Sequence, residues 1–446
     1  MPLDAPPQDA RDAAIYAVID AILPYPDVPP DALAKHLEAL PVETKPKAVA
    51  LHRAVMQRWL TLTYLLNLGV KPGTNPVEKF EAPVLACLLV GGVELLLFDE
   101  PSYAVIDEMV ARCRAMNRLK ATGLVNALLR RLTELISERR PDEPWTPGQD
   151  RLPDGQGGTV VLTEGVLPPT TNAVRHLAVA GGLPRPLIRR FVEEHGEDRA
   201  ARIAASCVRT PGVYTAEGSS SPELWKGDDL PGWLAEDWRR RVQDPAAALA
   251  VASLFDLSRR SATAGRVATI LDLCAGRGTK TRQLLATFHE ATAVAWDPDQ
   301  ARRADLRSLR DTVGGDRIAV REPKPGERFD VVLLDVPCSN TGVSGRRPEA
   351  RYRWSPQSLG TLVDLQRDIL VRGLRHIADG GLLIYTTCSI DRAENQNQAV
   401  WLTGHSADIG RSTKLLREHL QLPGGSGRDA TDGSYHAIIR IGAAAT

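Results

Sequence analysis

The chain has 446 residues, too many for one ordinary core, so two or three domains are expected. Hydrophobic residues at 43% and charged residues at 25% are the proportions of a globular, water-soluble protein, and no signal peptide or bilayer-length apolar run is evident, which excludes a membrane class. Lys+Arg and Asp+Glu balance at 55 each, so a nucleic-acid partner has to be met by a local basic patch rather than by net charge.

Residues from Arg11 to Arg140 read as all-helical. Ile15, Val18, Ile19 and Ile22 recur at helical spacing, and Leu85, Leu88, Leu89, Val93 and Leu96 do the same, a pattern that predicts a helical bundle. Between Ala111 and Arg140 eight basic residues, Arg112, Arg114, Arg118, Lys120, Arg130, Arg131, Arg139 and Arg140, face only Glu134 and Glu138. Such a run is a solvated helix face or an RNA contact, and charge alone does not choose between them. The strings Pro101 to Val110 and Gly123 to Arg131 resemble the closing helices of NusB-fold RNA-binding domains, which favours RNA.

Residues 141–184, rich in Pro, Gly and Asp over Pro141 to Thr171, read as an exposed linker crossed by one short strand at Thr159 to Leu162. Helical periodicity returns over Pro186 to Cys207, where Leu187, Ile188, Phe191 and Val192 share a face. Pro211 to Asp237 fits no element pattern. From Val267 onward strands alternate with helices, which predicts a parallel, doubly wound sheet. A strand at Thr269 to Cys274 runs into the turn Ala275-Gly276-Arg277-Gly278, with a helix from Thr279 to Phe288 behind it. A second strand, Ala291 to Trp296, ends in Asp297, a carboxylate placed to take both hydroxyls of a ribose. Strand, Gly turn, helix, strand and acid form the frame of an adenosine binder, although a generic βαβ unit shares most of it.

Phe329 to Leu334 is a further strand, followed by Asp335-Val-Pro337-Cys338-Ser-Asn-Thr-Gly342. Leu382 to Thr386 is another, followed by Thr387-Cys388-Ser389, with Asp391 to Glu394 opening the next helix. Ligands and chemistry collect at the carboxyl edge of such sheets, so Cys338 and Cys388 are placed together there on neighbouring strands. A cysteine taken alone at such a position reads more readily as a buried small hydrophobe; two beside an acid do not. Arg346, Arg347, Arg351 and Arg353, interleaved with Tyr352 and Trp354, suit a phosphate-and-base ligand or a cation–π-laced surface loop. The six cysteines form no CxxC pair and no zinc-like spacing, so a reduced, cytoplasmic protein without a metal site is expected.

These strings are similar to those of the RNA cytosine-5 methyltransferases of the bacterial ribosomal RNA (Sun/Fmu) type. The Asp-x-Pro-Cys-Ser-x-Thr-Gly string spans Asp335 to Gly342, the Arg-Arg-x-Pro string appears one residue shorter at Arg346 to Pro348, and Thr-Cys-Ser followed by Glu-Asn appears at Thr387 to Ser389 and Glu394-Asn395. The first Gly turn departs from the family's pattern, Arg277 standing for its Pro and Thr279 for its second Gly. The resemblance implies an α/β fold class, with an all-helical NusB-like RNA-binding domain at 1–140, a reduced RNA-contacting segment at 185–245 and a doubly wound Rossmann-like methyltransferase domain at 246–446. It implies Cys388 as nucleophile, Cys338 as the cysteine assisting release and Asp335 as holder of the base. Cys274, Ala275, Gly276, Arg277, Gly278, Thr279, Lys280, Asp297 and Asp335 would bind S-adenosylmethionine, and Glu322 is the nearest substitute for the acid that the family places near the adenine. A monomer acting on ribosomal RNA is expected; a transfer RNA methyltransferase or a non-catalytic RNA-binding factor on the same fold are the alternatives.

Overall fold

The structure, a computed structural model, describes residues 6–260, 267–425 and 429–443. Its contacts divide into two compact units, Met1–Thr210 with Ser344–Ser355, and Pro211–Val343 with Pro356–Thr446.

The first unit grows from the helical spacing at its start. Helices α1 (Ala10–Ile22), α2 (Ala34–Leu37), α3 (Lys45–Asn67), α4 (Ala82–Leu97), α5 (Ser102–Ala115) and α6 (Thr122–Leu135) surround one core. Every residue of α4 from Pro83 to Leu96 is buried, so this apolar helix is the axis of the bundle, as a helix hydrophobic all round has to be. Three members of the basic run hold the bundle together. Arg112 binds Asp9 at 2.5 Å and Asp12 at 3.0 Å, as well as Glu108, joining α5 to the capped start of α1. Arg118 binds Glu81 at 2.6 Å, and Arg139 donates to the carbonyls of Leu95, Leu96 and Phe98, which closes the carboxyl end of α4. Arg114 and Lys120 are exposed.

Three expectations are corrected here. Helix α6 stops at Leu135, where its apolar face runs out, and the chain continues as strand β1 (Ile136–Arg140). The supposed linker is only partly exposed, and it is structured. With β2 (Arg151–Pro153) and β3 (Thr159–Leu162) it builds a three-stranded antiparallel sheet in the order β1-β3-β2, and Leu152, Val160, Leu162 and Leu167 join the bundle's core. The strand at Thr159 to Leu162 stands where expected, in the centre of that sheet. Its hydrophobic residues alternate over too few positions to outweigh the surrounding Pro and Gly in a sequence reading. Boundaries at 140 and 184 therefore do not separate compact bodies. Helix α7 (Ala173–Ala180) follows, and the helical stretch after it is two helices, α8 (Arg185–His195) and α9 (Glu197–Cys207), parted at Gly196.

The second unit begins with the stretch that sequence left unassigned. Strands β4 (Tyr214–Glu217) and β5 (Glu223–Leu224), helix α10 (Leu230–Glu236) and strand β6 (Arg240–Val242) form a small antiparallel sheet, order β5-β4-β6. After α11 (Pro245–Arg260) come β7 (Thr269–Asp272), α12 (Thr279–Thr287), β8 (Thr292–Ala295), α13 (Gln300–Val313), β9 (Ile318–Val320) and β10 (Phe329–Asp335). A one-turn helix, α14 (Ala350–Arg353), belongs to the first unit. The chain then returns through α15 (Pro356–Leu374), β11 (Ile377–Thr387), α16 (Gln396–His405), β12 (Arg411–Gln421) and β13 (Ser434–Ala443).

These strands form one seven-stranded sheet in the order β12-β13-β11-β10-β7-β8-β9. The five strands from β11 to β9 are parallel and β13 and β12 antiparallel. Alternation along each strand sorts the side chains into two cores: Ile270, Leu333, Ile384 and Ile438 on one face, Leu271, Val332, Leu383 and Ile439 on the other. Strand order reverses between β7 and β10. The crevice beyond their carboxyl ends is the place this architecture provides for a ligand.

Candidate active site

Everything the sequence singled out in the second unit lies along that carboxyl edge. After β7 the chain turns through Cys274 to Gly278. Gly278 has φ +87°, and a Cβ there would come within 2.8 Å of Leu309 and 2.9 Å of Leu306, so the turn is pinned against α13 by the absence of a side chain. Gly276, at φ +54°, has nothing within 4 Å of its Cβ position, which leaves its backbone open to a ligand. Its N–H donates to Asp297 Oδ2 at 3.0 Å, while Asp299 N–H donates to Asp297 Oδ1 at 3.0 Å. Asp297 is therefore a buried carboxylate locked to the Gly turn beside it. An open Gly backbone next to a fixed carboxylate at the switch point fits the turn-and-ribose frame of an adenosine cofactor. Arg277 is the exposed member of the turn and lies 3.5 Å from Asp305. Thr279 opens α12. Glu322 is exposed just after β9 and lies 3.5 Å from Arg372.

Lys280, in the first turn of α12, donates to Asp335 Oδ2 at 2.7 Å. Burial works against its charge, but Asp335 outweighs this and holds the ammonium above its ordinary pKa, with smaller help from Cys388 and Asp272. The ammonium is thus shared with a carboxylate. Behind it Asp272 accepts from Thr281 Oγ1 at 2.6 Å while its other oxygen is buried without a partner. Burial, with Asp335 adding to it, pushes the Asp272 carboxyl up to about 7. Burial likewise raises the Cys274 thiol, so that side chain is an inert wall of the turn.

The two cysteines meet. Strands β10 and β11 are adjacent and parallel, and Cys338 Sγ and Cys388 Sγ are 2.9 Å apart. Both are free. The hydrogen bond with Cys388 and then burial hold the Cys338 thiol well above the ordinary range, so Cys338 keeps its proton. Cys388 Sγ also donates to Asn340 Oδ1 at 3.1 Å, and Asn340 Nδ2 donates back to the Cys338 carbonyl at 2.9 Å. Asn340 holds φ +59° to do so, a left-handed conformation that Asn tolerates better than most residues. At Gly342 a Cβ would meet the Gly433 carbonyl at 2.6 Å and the Cys388 carbonyl at 2.8 Å, which shows how closely the two loops approach.

The arginine and aromatic run is elsewhere. Arg351, Tyr352 and Trp354 are buried in the first unit, and Arg351 donates only to backbone carbonyls there. This corrects the phosphate-and-base reading for Arg351 and its aromatic neighbours, whose spacing looks the same whether they face a ligand or an interior. Sequence reasoning missed Asn340, Asp272 and the buried Glu394. Asn340 and Glu394 lay inside quoted strings, but nothing local marks which member of a string is bonded to which. Among the described residues no cluster of His, Cys, Asp and Glu could hold a metal, and no helix is long and apolar enough to cross a membrane.

Residues 265–423 match the family described as 16S rRNA methyltransferase RsmB/F, and residues 13–134 match the NusB family. The ribosomal RNA small subunit methyltransferase B of Vibrio cholerae is 30% identical over 96% of this chain and 96% of its own. The protein of that name from Xanthomonas campestris is 27% identical over 90% of this chain and 91% of its own. Among solved structures, that of PH0851 has a TM-score of 0.64 at 18% identity, covering 98% of this chain and 100% of the other, a likeness of fold.

Proposed function

Because the chain belongs to the RsmB/F family of 16S rRNA methyltransferases, it is an S-adenosylmethionine-dependent RNA cytosine-5 methyltransferase, and we propose that Cys388 carries the reaction as a nucleophile on small-subunit ribosomal RNA. The observation that supports this reading is the 2.9 Å approach of the two free thiols beside the Asp335–Lys280 pair. A binding module has no use for that arrangement.

Cytosine C5 is too weak a nucleophile to accept a methyl group unaided. The Cys388 sulfur, its proton released to solvent, adds to C6, and the C5–C6 π pair moves onto C5. S-adenosylmethionine supplies the methyl as a sulfonium-bound electrophile. Gly276, Gly278 and Asp297 would hold it, with Cys274, Ala275, Arg277, Thr279 and Lys280 completing the turn. Once C5 carries the methyl, the C5 proton passes to solvent, its C–H pair re-forms the C5–C6 double bond, and the C6–sulfur bond breaks with its pair leaving on Cys388. Cys338 remains a thiol, so it can donate a hydrogen bond to the departing Cys388 thiolate and assist release. Asp335, steered by Lys280 through one oxygen, presents a carboxylate to the edge of the base. The target base has to leave any stack to reach this crevice. The protein acts as a monomer in this reading.

The test separates the thiols. Cys388→Ala has nothing to add at C6, so neither methylation nor an RNA-linked species should form. Cys338→Ala should still add but release slowly, and should accumulate as RNA-linked protein that survives denaturing electrophoresis. The double variant should show none. An adduct in Cys388→Ala would overturn the roles, and no adduct in Cys338→Ala, with wild type active on the same RNA, would remove Cys338 from release.

A further inference from the structure

The sheet alone does not bring the two sulfurs together. Ladder pairing between β10 and β11 ends at Asp335 opposite Thr386. Cys338 lies three residues beyond that pair and Cys388 two, in loops whose course the register does not set. What crosses between these loops is a buried polar network. Each cysteine is followed by a serine, and the two serine hydroxyls hydrogen-bond to each other at 3.2 Å. Glu394 accepts from Ser339 N–H at 2.9 Å and from Ser339 Oγ at 2.5 Å. Gln366, from α15, donates to Glu394 Oε1 at 3.0 Å and to the carbonyl of Pro337 at 2.9 Å, just before Cys338. Tyr385 donates its hydroxyl to the Glu394 carbonyl at 2.6 Å. Glu394, Gln366 and Ser389 are all completely buried.

A carboxylate in such a place is costly unless donors surround it, and here they do. Two of its donors come from Ser339, beside Cys338, and Ser339 Oγ also meets Ser389, beside Cys388, so ordering the carboxylate orders both loops. We propose that Glu394 is a positioning residue for methyl transfer: its carboxylate fixes Ser339, through it Ser389, and through Gln366 also Pro337, and thereby holds Cys338 and Cys388 in contact. The alternative is that Glu394 only fills the interior, with the loops folding to the same place without it. The consequence for turnover rests on the covalent reading above; the consequence for thiol spacing does not.

That difference sets the experiment. Phenylarsine oxide bridges two adjacent thiols, forming two As–S bonds and releasing one water, and needs no RNA. In the full-length wild type, peptide mapping should find the bridge between Cys338 and Cys388. Glu394→Ala should slow this bridging by about tenfold or more, the effect of losing one hydrogen bond to a charged group. Glu394→Gln should bridge at close to the wild-type rate, since its amide can still accept from Ser339 N–H and Gln366 while its NH2 meets the Ser339 hydroxyl. Methylation kcat should follow the same order, with KM for S-adenosylmethionine unchanged. Wild-type bridging rates in a folded Glu394→Ala, or equal losses in the Ala and Gln variants, would overturn the proposal. Should Glu394→Ala fail to fold by thermal melting, Ser339→Ala decides: slower bridging supports the clamp and an unchanged rate removes it. If the wild type bridges yet methylates no RNA, the functional reading fails and the clamp stands.

Discussion

Replacing Arg351 by Ala should cost the first unit about 4 kcal/mol of stability. The residue is 1% exposed. Its Nη1 donates to the carbonyls of Gln57 at 2.9 Å, Gly181 at 3.2 Å and Gly182 at 3.2 Å, and its Nη2 to those of Cys207 at 2.6 Å and Ser344 at 2.8 Å. Two nitrogens carry four hydrogens, and at about 1 kcal/mol net for each satisfied bond their removal gives the figure above. That is among the larger effects of a single substitution, and for a unit of this size it corresponds to a fall of roughly 10 °C in melting temperature. Lys at this position should recover only part, because a point-like ammonium cannot span carbonyls from four segments as a planar guanidinium does. The assay is thermal unfolding of the full chain, with hydrogen exchange followed over residues 173–182 and 197–209. A folded Arg351→Ala that melts within about 1 °C of wild type but has lost RNA affinity would refute the structural reasoning and restore the ligand reading of this arginine.

Asp297→Ala should weaken S-adenosylmethionine binding by about 1.5–3 kcal/mol, as expected for hydrogen bonds to a charged group; calorimetry showing unchanged affinity in a folded variant would remove Asp297 from the site. Asp272→Asn should change how stability depends on pH. The folded carboxyl is raised to about 7, so the unfolded chain ionises first and wild-type stability falls as pH rises from the unfolded value through about 7. Asp272→Asn should lack that fall, and its advantage over wild type in urea titrations should be larger at pH 8 than at pH 4; the opposite trend would contradict it. Within the basic run, Arg114→Ala with Lys120→Ala should reduce the salt slope of RNA binding by about 1–2, the effect of losing two phosphate contacts. Arg112→Ala should instead lower the melting temperature, since its partners are Asp9, Asp12 and Glu108; a salt-slope effect for Arg112 alone would reverse that division.

The parts of this protein that sequence made legible are those where pattern and environment coincide. Alternating strands and helices from Thr269 onward fixed the sheet, because period-two burial on both faces leaves few other folds for such a run. Cys338, Cys388, Asp335 and Asp297 could be placed together because strand ends in such a sheet share one edge. Arg351 and Tyr352 were misread because charge and aromaticity describe what a side chain can do and not whether water reaches it. The segment from Arg151 to Leu167 looked like a linker because its short strands hold few apolar residues each, and only the bundle beside them reveals what they cover. Glu394 stayed invisible for a related reason: its partners lie 55 and 28 residues away in the chain, and no local spacing encodes them.

The excursion of Ser344–Ser355 into the first unit has a consequence for synthesis on the ribosome. The chain emerges from its amino terminus, so α1 to α9 are made long before Arg351 and Tyr352 exist. Until then the carbonyls of Gln57, Gly181, Gly182 and Cys207 lack the donor that serves them in the finished protein, and the place of the Tyr352 ring beside Trp59 is empty. By the time residue 355 is translated, β7 to β10 have also been made. The first unit to begin folding is therefore unable to finish until much of the second has appeared, and a ribosome that stalls between residues 210 and 344 leaves a helical bundle with an unsealed seam.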